Sequence, residues 1–317
     1  MSKFIRRFEA RDWDAFPVVR TLLDCWKLPG EASDSDGLRL ALRNGYANFY
    51  RKGQSVAKLH STATQVKLEI HKAYVARRRK PESRGEALVG YDRFDEAWLS
   101  DPANCAHVAD WIDTAGSYAG SEKSIVDELI AANPGTIDIE MGLPAYDGEK
   151  SAPRMDLVLV EGGNRIAFWE AKCTDNAEIR ARAEPHVVQQ VPTYEEWMAK
   201  PGRAADVVAA YRDAAAIMVE LATAAGKPDS SALASWRALR DAGEAMAIGR
   251  PGVVIGGYCP DGFTGRGAEL IAARAQSFEA RGHRSRLVEK FGLTLACYAS
   301  ADEVKARPLP PLAGAAR

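Results

Sequence analysis

The stretch that most constrains this chain runs over residues 154–173, RMDLVLVEGGNRIAFWEAKC. Val, Ile, Leu, Phe and Trp dominate both flanks, and Gly162-Gly163-Asn164 between them is turn chemistry, so the segment reads as a β-hairpin. Symmetry about Gly163 pairs Val160 with Ile166, Val158 with Phe168 and Asp156 with Glu170. Directly opposed residues have Cβ atoms roughly 4.5–5.5 Å apart, where like charges destabilise, so the two carboxylates need an offset. Strand alternation places Glu170 and Lys172 on the face of Ile166 and Phe168, and Asp156 on the face of Val158 and Val160. The acids therefore continue an apolar face. A partly buried carboxylate pair can share a proton or bind a hard divalent cation through oxygen, and Lys172 adds a positive charge beside it.

A length of 317 residues accommodates one large or two ordinary domains, and 46% hydrophobic residues with a mean hydropathy of −0.27 describe a soluble globular chain. The net charge of −1 carries no global signal for nucleic acid, so any such binding must rest on local patches. Cys25, Cys105, Cys173, Cys259 and Cys297 are widely spaced with no C-x-x-C pair, which reads as reduced thiols rather than a zinc or iron–sulfur site. The opening MSKFIRR lacks an apolar signal region, and no run of about 18 apolar residues occurs, so a cytoplasmic location without a membrane partner is expected.

Residues 1–115 form a first region. Residues 38–45, 46–53, 54–60 and 65–71 read as a β-meander with turns at Asn44-Gly45 and Lys52-Gly53. The basic run Arg77, Arg78, Arg79 and Lys80 follows. It is either a solvated loop or, with Tyr46, Phe49, Tyr50 and Tyr74 interleaved in the same module, a substrate- or partner-binding surface. Residues 91–118 read as short helical connecting pieces. In residues 121–132, Ser121 suits an N-cap, Ile125, Val126, Leu129 and Ile130 make an apolar stripe, and Asn133-Pro134-Gly135 stops the helix. Glu122 falls near the centre of that stripe, either solvated at the core rim or a third acid for the same cation; Glu128 falls well off it.

A strand over 136–141 leads into the hairpin. The segment 183–197 places Gln190 and Tyr194 on one helical face, with Pro185 suited to a first turn and Pro192 predicting a kink or break. Residues 203–226 and 231–247 read as helices, 252–258 as a buried strand, 268–290 as a helix, 293–298 as a final strand, and the tail from Arg307 as irregular.

The order helix, three strands, helix, helical insertion, strand, helix, strand, together with Asp156, Glu170-Ala171-Lys172 and Gln190-x-x-x-Tyr194, resembles the PD-(D/E)XK nuclease superfamily. The Gln-x-x-x-Tyr helix is similar to that of the RecB-type and lambda-exonuclease-like branch, and the 122–134 helix to the opening helix of several members, including Shedu anti-phage nucleases. The likeness covers roughly residues 119–300. It implies an α/β fold with a restriction-endonuclease-like core, a central mixed sheet flanked by helices, over residues 116–302. The helical insertion would lie at about 203–247, with an N-terminal β-rich module over 1–115 and an irregular tail over 303–317. Met155 stands where the family often has proline, Pro192 lies inside the Gln-x-x-x-Tyr segment, and no cysteine cluster matches the iron–sulfur relatives.

The resemblance implies metal-assisted hydrolysis of DNA phosphodiester bonds. Asp156, Glu170 and the Ala171 backbone carbonyl would hold Mg²⁺ or Mn²⁺, with Glu122 directly or through water. Lys172 would orient water or stabilise the oxyanion, Gln190 would position the nucleophile or phosphate, and Tyr194 would support the helix or contact the strand. Each has a plainer alternative: Lys172 neutralising the acids, Gln190 and Tyr194 capping or packing, and the nearby His186 structural. No G-x-x-x-x-G-K-[ST] loop occurs, so an ATPase, helicase or other defence-system subunit would be a separate partner; self-association is also open. No G-x-S-x-G elbow or Cys/His metal spacing is present. The rival reading is a catalytically silent nuclease fold that binds DNA or serves assembly.

Overall fold

Glycine turns and alternating apolar residues build the first sheet. The structure is a computed structural model that describes residues 3–77, 88–145, 154–181, 183–242, 246–260 and 265–312. Strands β1 (Arg39–Leu42), β2 (Tyr46–Arg51), β3 (Gln54–Ser61), β4 (Val66–His71) and β5 (Tyr91–Phe94) are antiparallel neighbours in chain order. The β2–β3 turn takes left-handed φ at Lys52 (45°) and Gly53 (71°), the two-residue geometry that matches strand twist. Helices α1 (Pro17–Asp24), α2 (Lys72–Val75), α3 (Glu96–Leu99) and α4 (Ala106–Gly116) accompany this sheet, with α4 against β3. Residues 91–94, expected as part of a helical connection, are instead a strand, because Phe94 pairs with Leu68 and Arg93 reaches Glu69 at 3.1 Å.

The second sheet is mixed. Helix α5 (Ser121–Ala132) precedes β6 (Thr136–Gly142), β7 (Arg154–Glu161) and β8 (Arg165–Cys173), which run antiparallel. Helices α6 (Val187–Ala199), α7 (Arg203–Ala224) and α8 (Ala234–Asp241) carry the chain to β9 (Ala247–Ile248) and β10 (Gly252–Gly256). Helix α9 (Gly265–Ala280), the short α10 (His283–Ser285) and a π turn at Arg286–Lys290 lead to β11 (Leu295–Tyr298), and α11 (Ala301–Ala306) follows. The order is β11-β10-β8-β7-β6, with β9 also on β8; β8, β10 and β11 are parallel and need these helical crossovers. The chain is thus a mixed α/β fold with an antiparallel sheet and a mixed sheet flanked by helices. The hairpin register is the expected one: Val160 faces Ile166 and Val158 faces Phe168.

Several boundaries differ from the sequence reading. Gly120, not Ser121, is the N-cap of α5, and no side chain caps it. Helix α6 starts at Val187 and runs unbroken through Pro192. Pro192 is exposed on its surface, and the Thr193 hydroxyl donates to the Gln189 carbonyl at 2.7 Å, meeting an acceptor one position beyond the bond the proline cannot make. The segment 268–290 is interrupted where Gly282 turns left-handed and ends α9. Among the described residues of 231–247 are the short α8, a 3-10 turn before it and the start of β9 after it. The tail assigned from 303 begins inside α11, and Leu309 and Leu312 are buried against the α5 side of the sheet.

One core joins the two sheets. Phe49, Val56 and Leu59 of the meander lie in the same apolar cluster as Val158, Ile166 and Phe168 of the hairpin. The opposite face of the hairpin, with Leu157, Leu159, Ala167 and Trp169, packs on Ile125, Val126, Leu129 and Ile130 of α5. Gly256 on β10 lets that helix approach, since a Cβ there would lie 2.3 Å from Ile125 Cδ1. A buried carboxylate locks the two regions together. Asp138 of β6 accepts from Arg6 Nη2 (3.0 Å), Arg43 Nη1 (2.7 Å) and the Tyr211 hydroxyl (2.9 Å). Burial alone would raise the Asp138 pKa, but the Arg43 and Arg6 guanidiniums outweigh it and hold it below the usual carboxylate range.

Asp138→Asn leaves two buried guanidiniums without their counter-charge and is expected to cost about 3–5 kcal/mol in urea unfolding near neutral pH. Because the folded-state pKa is depressed, this contribution is present in full above the unfolded value of ~3.9 and is lost as pH falls through the folded one. The gap between wild type and variant should therefore narrow in acid; a gap that stays constant to the acid-unfolding limit contradicts this account.

Candidate functional site

Where β7 and β8 run past the end of their ladder, a cavity of about 620 Å³ opens. The last paired residues are Leu157 and Trp169, and the next step would set Asp156 opposite Glu170. There the Asp156 side chain takes over from the backbone: its Oδ2 accepts from the Ala171 N–H at 2.8 Å. In an extended strand the N–H and C=O of one residue point to the same edge, so the Ala171 carbonyl also faces β7. The Ala171 side chain packs with the α5-side core.

Glu170 and Lys172 lie on the cavity wall beside Asp156. Lys172 Nζ is 2.6 Å from Glu170 Oε1 and 3.2 Å from Glu178 Oε2, while His186 Nδ1 lies 3.6 Å from the other Glu178 oxygen. Burial, then the Asp156 charge, push the Glu170 carboxyl up to about 7 despite Lys172. Burial would lower the Lys172 ammonium, yet Glu170 and Glu122 outweigh it and raise its pKa, so it stays charged at neutral pH. Glu122 enters from the first turn of α5 and accepts from Asn176 Nδ2 at 2.9 Å; burial raises its pKa. It lines the cavity wall together with Asp156 and Glu170.

Lys123 and Glu140 on the wall escaped sequence reasoning. Lys123 Nζ contacts Glu140 Oε1 and lies 3.0 Å from Asp156 Oδ1. Glu140 has φ +49°, left-handed for a residue with a side chain, and the β6–β7 ladder skips it between Ile139↔Leu157 and Met141↔Met155. Ile139 consequently faces the α5 cluster and Met141 the opposite one, although alternation would put both on one face. No sequence signal marks that flip, because Ile137-Asp138-Ile139-Glu140-Met141 alternates as an ordinary strand does. Lys123 follows Glu122 by one residue, which the helical stripe does not associate with the same face. Arg154, whose Nη1 is 3.6 Å from Glu140 Oε2, and Gly53 of the β2–β3 turn complete this side of the wall.

The downstream helix divides. Gln190 lines the cavity, and its buried Oε1 has no hydrogen-bond partner among the described residues. Tyr194, expected on the same face, points into the core with its ring 4.7 Å from Phe168, and it does not line the cavity. The helix sits closely enough on the sheet that one further turn carries a side chain from the cavity rim to the shared core. Arg77 is exposed at the end of α2, 2.5 Å from Asp110 and away from the cavity wall; Arg78 and Arg79 lie outside the described residues. Phe49 and Tyr50 of β2 are buried in the two opposite core clusters and Tyr74 of α2 in the first of them, so none presents a stacking surface.

Asp156, Glu170 and Glu122 bring hard oxygen donors to one cavity, which suits a divalent cation, and the raised Glu170 pKa marks a charge that such an ion would relieve. Among the described residues no three His, Cys, Asp or Glu side chains form a ready metal cage. A Mg²⁺ site does not require one, since that ion keeps several waters and takes one or two carboxylates. Comparison with protein-family models, curated proteins and solved structures finds no match for this chain.

Because the Tyr194 hydroxyl is buried without a partner among the described residues, Tyr194→Phe should raise the unfolding free energy by about 1 kcal/mol. Tyr194→Ala should cost about 3–5 kcal/mol through the cavity it leaves. Chemical denaturation of both variants measures this; a destabilised Tyr194→Phe would reveal a hydroxyl contact that the packing does not contain.

Proposed function

We propose that this chain is a metal-dependent nuclease that hydrolyses DNA phosphodiester bonds. The observation that supports the reading is the convergence of Asp156, Glu170, Lys172, Glu122 and Gln190, drawn from two strands and two helices, on one cavity wall. Asp156, Glu170 and the Ala171 carbonyl would hold Mg²⁺ or Mn²⁺, with Glu122 directly or through a water. Bound there, the cation would lower the pKa of a water and offset charge on the phosphate.

The chain's own groups do the rest. Lys172, kept charged by the acids around it, supplies a compact cation to the phosphate oxygens or to the attacking water. Gln190 offers an unused acceptor that holds a water hydrogen and so orients the oxygen's lone pair. Glu178, itself met by His186, holds the outer side of Lys172. Anti-phage defence or DNA processing is the proposed setting, with any ATPase or helicase on another chain.

A silent nuclease fold, used for DNA binding or assembly, is the second reading. It draws on the lysine pairing of both acids, Lys123 with Asp156 and Lys172 with Glu170, which offsets those two carboxylates with no cation.

Cleavage of linear, circular and single-stranded DNA with Mg²⁺, and again with chelator, separates the two. Wild type should cleave only with the metal, and Asp156→Ala and Lys172→Ala should each lose at least about 10²–10³-fold in rate. A wild type that cleaves nothing, or variants that cleave equally well, would leave the silent fold as the reading. The linear and circular arms also distinguish exonuclease from endonuclease action.

A further inference from the structure

Lys123 is not needed for the chemistry above, yet it lies between two carboxylates of the cavity wall. Asp156 has one oxygen bound to the Ala171 N–H, which leaves Oδ1 as its freer oxygen, and Lys123 Nζ lies 3.0 Å from that atom. The same Nζ contacts Glu140, so a single ammonium spans two carboxylates on adjacent strands. One side of its stem is covered. A Cβ on Gly53 would come within 2.7 Å of Lys123 Cδ, so the β2–β3 turn of the first sheet lies directly against the lysine methylenes. Glu140 is held toward this ammonium by a left-handed backbone that costs about 1–3 kcal/mol and that the strand pattern alone would not adopt. Strain of that kind persists only where surrounding structure imposes it, and here it directs a carboxylate with a side chain only 9% exposed at Lys123.

We propose that Lys123 is a built-in counter-ion that neutralises Asp156 until a divalent cation takes its place, and that Glu140 is the carboxylate that retains the displaced ammonium. The inference rests on the nuclease reading only in requiring that a cation binds at Asp156. The exchange needs only a short displacement, because Nζ already contacts the receiving group, and no charge has to leave the cavity. It also gives the first sheet a part in the site: the turn at Gly53 covers one side of the lysine stem, while the ammonium exchanges between its two carboxylate partners.

A double-mutant cycle on the full chain tests this, with Mn²⁺ binding followed by calorimetry and by the electron-paramagnetic signal of free Mn²⁺. Lys123→Met should tighten Mn²⁺ binding by about 5–100-fold, the usual range of coupling between competing sites. Glu140→Gln should weaken binding by about 5-fold or more when Lys123 is present, and by less than about 2-fold in the Lys123→Met background, because the two residues act as a unit. Plain loss of a negative charge would weaken binding equally in both backgrounds, and that result overturns the proposal. Wild type and Lys123→Met binding Mn²⁺ equally would also overturn it while leaving the metal site standing. If none of the four proteins binds Mn²⁺, both the exchange and the nuclease reading fall. Lys123→Gln, which keeps a polar head group, serves should the methionine variant fail to fold, and the same tightening is expected of it.

Discussion

Three carboxylates stand in one row across neighbouring strands, and the rest of the site is arranged around their repulsion. Continued without interruption, the registers would set Glu140 of β6 opposite Asp156 of β7, and Asp156 opposite Glu170 of β8, and both pairs are missing from the ladders. Like charges at that spacing destabilise a sheet, and burial makes the penalty larger. The structure answers at both ends of the row: Lys123 lies between Glu140 and Asp156, and Lys172 between Glu170 and Glu178. The ladder itself gives way, with Glu140 turned left-handed and the Asp156 side chain taking the Ala171 N–H. A sheet interrupted where its acids meet leaves a cavity with charged walls, the feature a hydrolytic site needs and an ordinary core avoids.

The first sheet contributes to the second more than a tethered module would. Asp138 draws Arg6, Arg43 and Tyr211 to one carboxylate, so the N-terminal segment, the β1–β2 turn and α7 converge on β6. Arg39 adds a second buried tie to Asp127 of α5 at 2.9 Å. These pairs are held by desolvation as much as by attraction, since removing one partner strands a charge out of water. The helix that carries Glu122 and Lys123 is thereby fixed from the N-terminal side by Arg39 and the Gly53 turn, and from the C-terminal side by α11.

Legibility followed the range of the interaction. The hairpin register, the α5 stripe and the first four meander strands depend on neighbours a few residues apart and on turn glycines, and they were readable in that form. Strand β5 was not, because Tyr91–Phe94 becomes a strand through pairing with β4 some twenty residues earlier. Pro192 predicted a break by local rules, but it stands on the exposed side of α6, where one missing hydrogen bond is tolerated. Gln190 and Tyr194 share a helical face in sequence, yet the packing of α6 on the sheet sends one to the cavity and the other to the core.

By itself, the sequence determined that Asp156, Glu170 and Lys172 would meet on one apolar face, because a hairpin of fixed period and a glycine turn admits little else. It also determined that Glu122 would be aimed inward, through the helical period. Only the tertiary structure decided what balances those charges. Lys123, Glu140 and Gly53 reach the cavity from three separate elements, Glu178 meets Lys172 from a fourth, and Glu140 arrives through a backbone conformation that no pattern of polar and apolar residues encodes. Charge compensation acts through space across long stretches of chain, so its partners become visible only once the fold has brought them within a few ångströms.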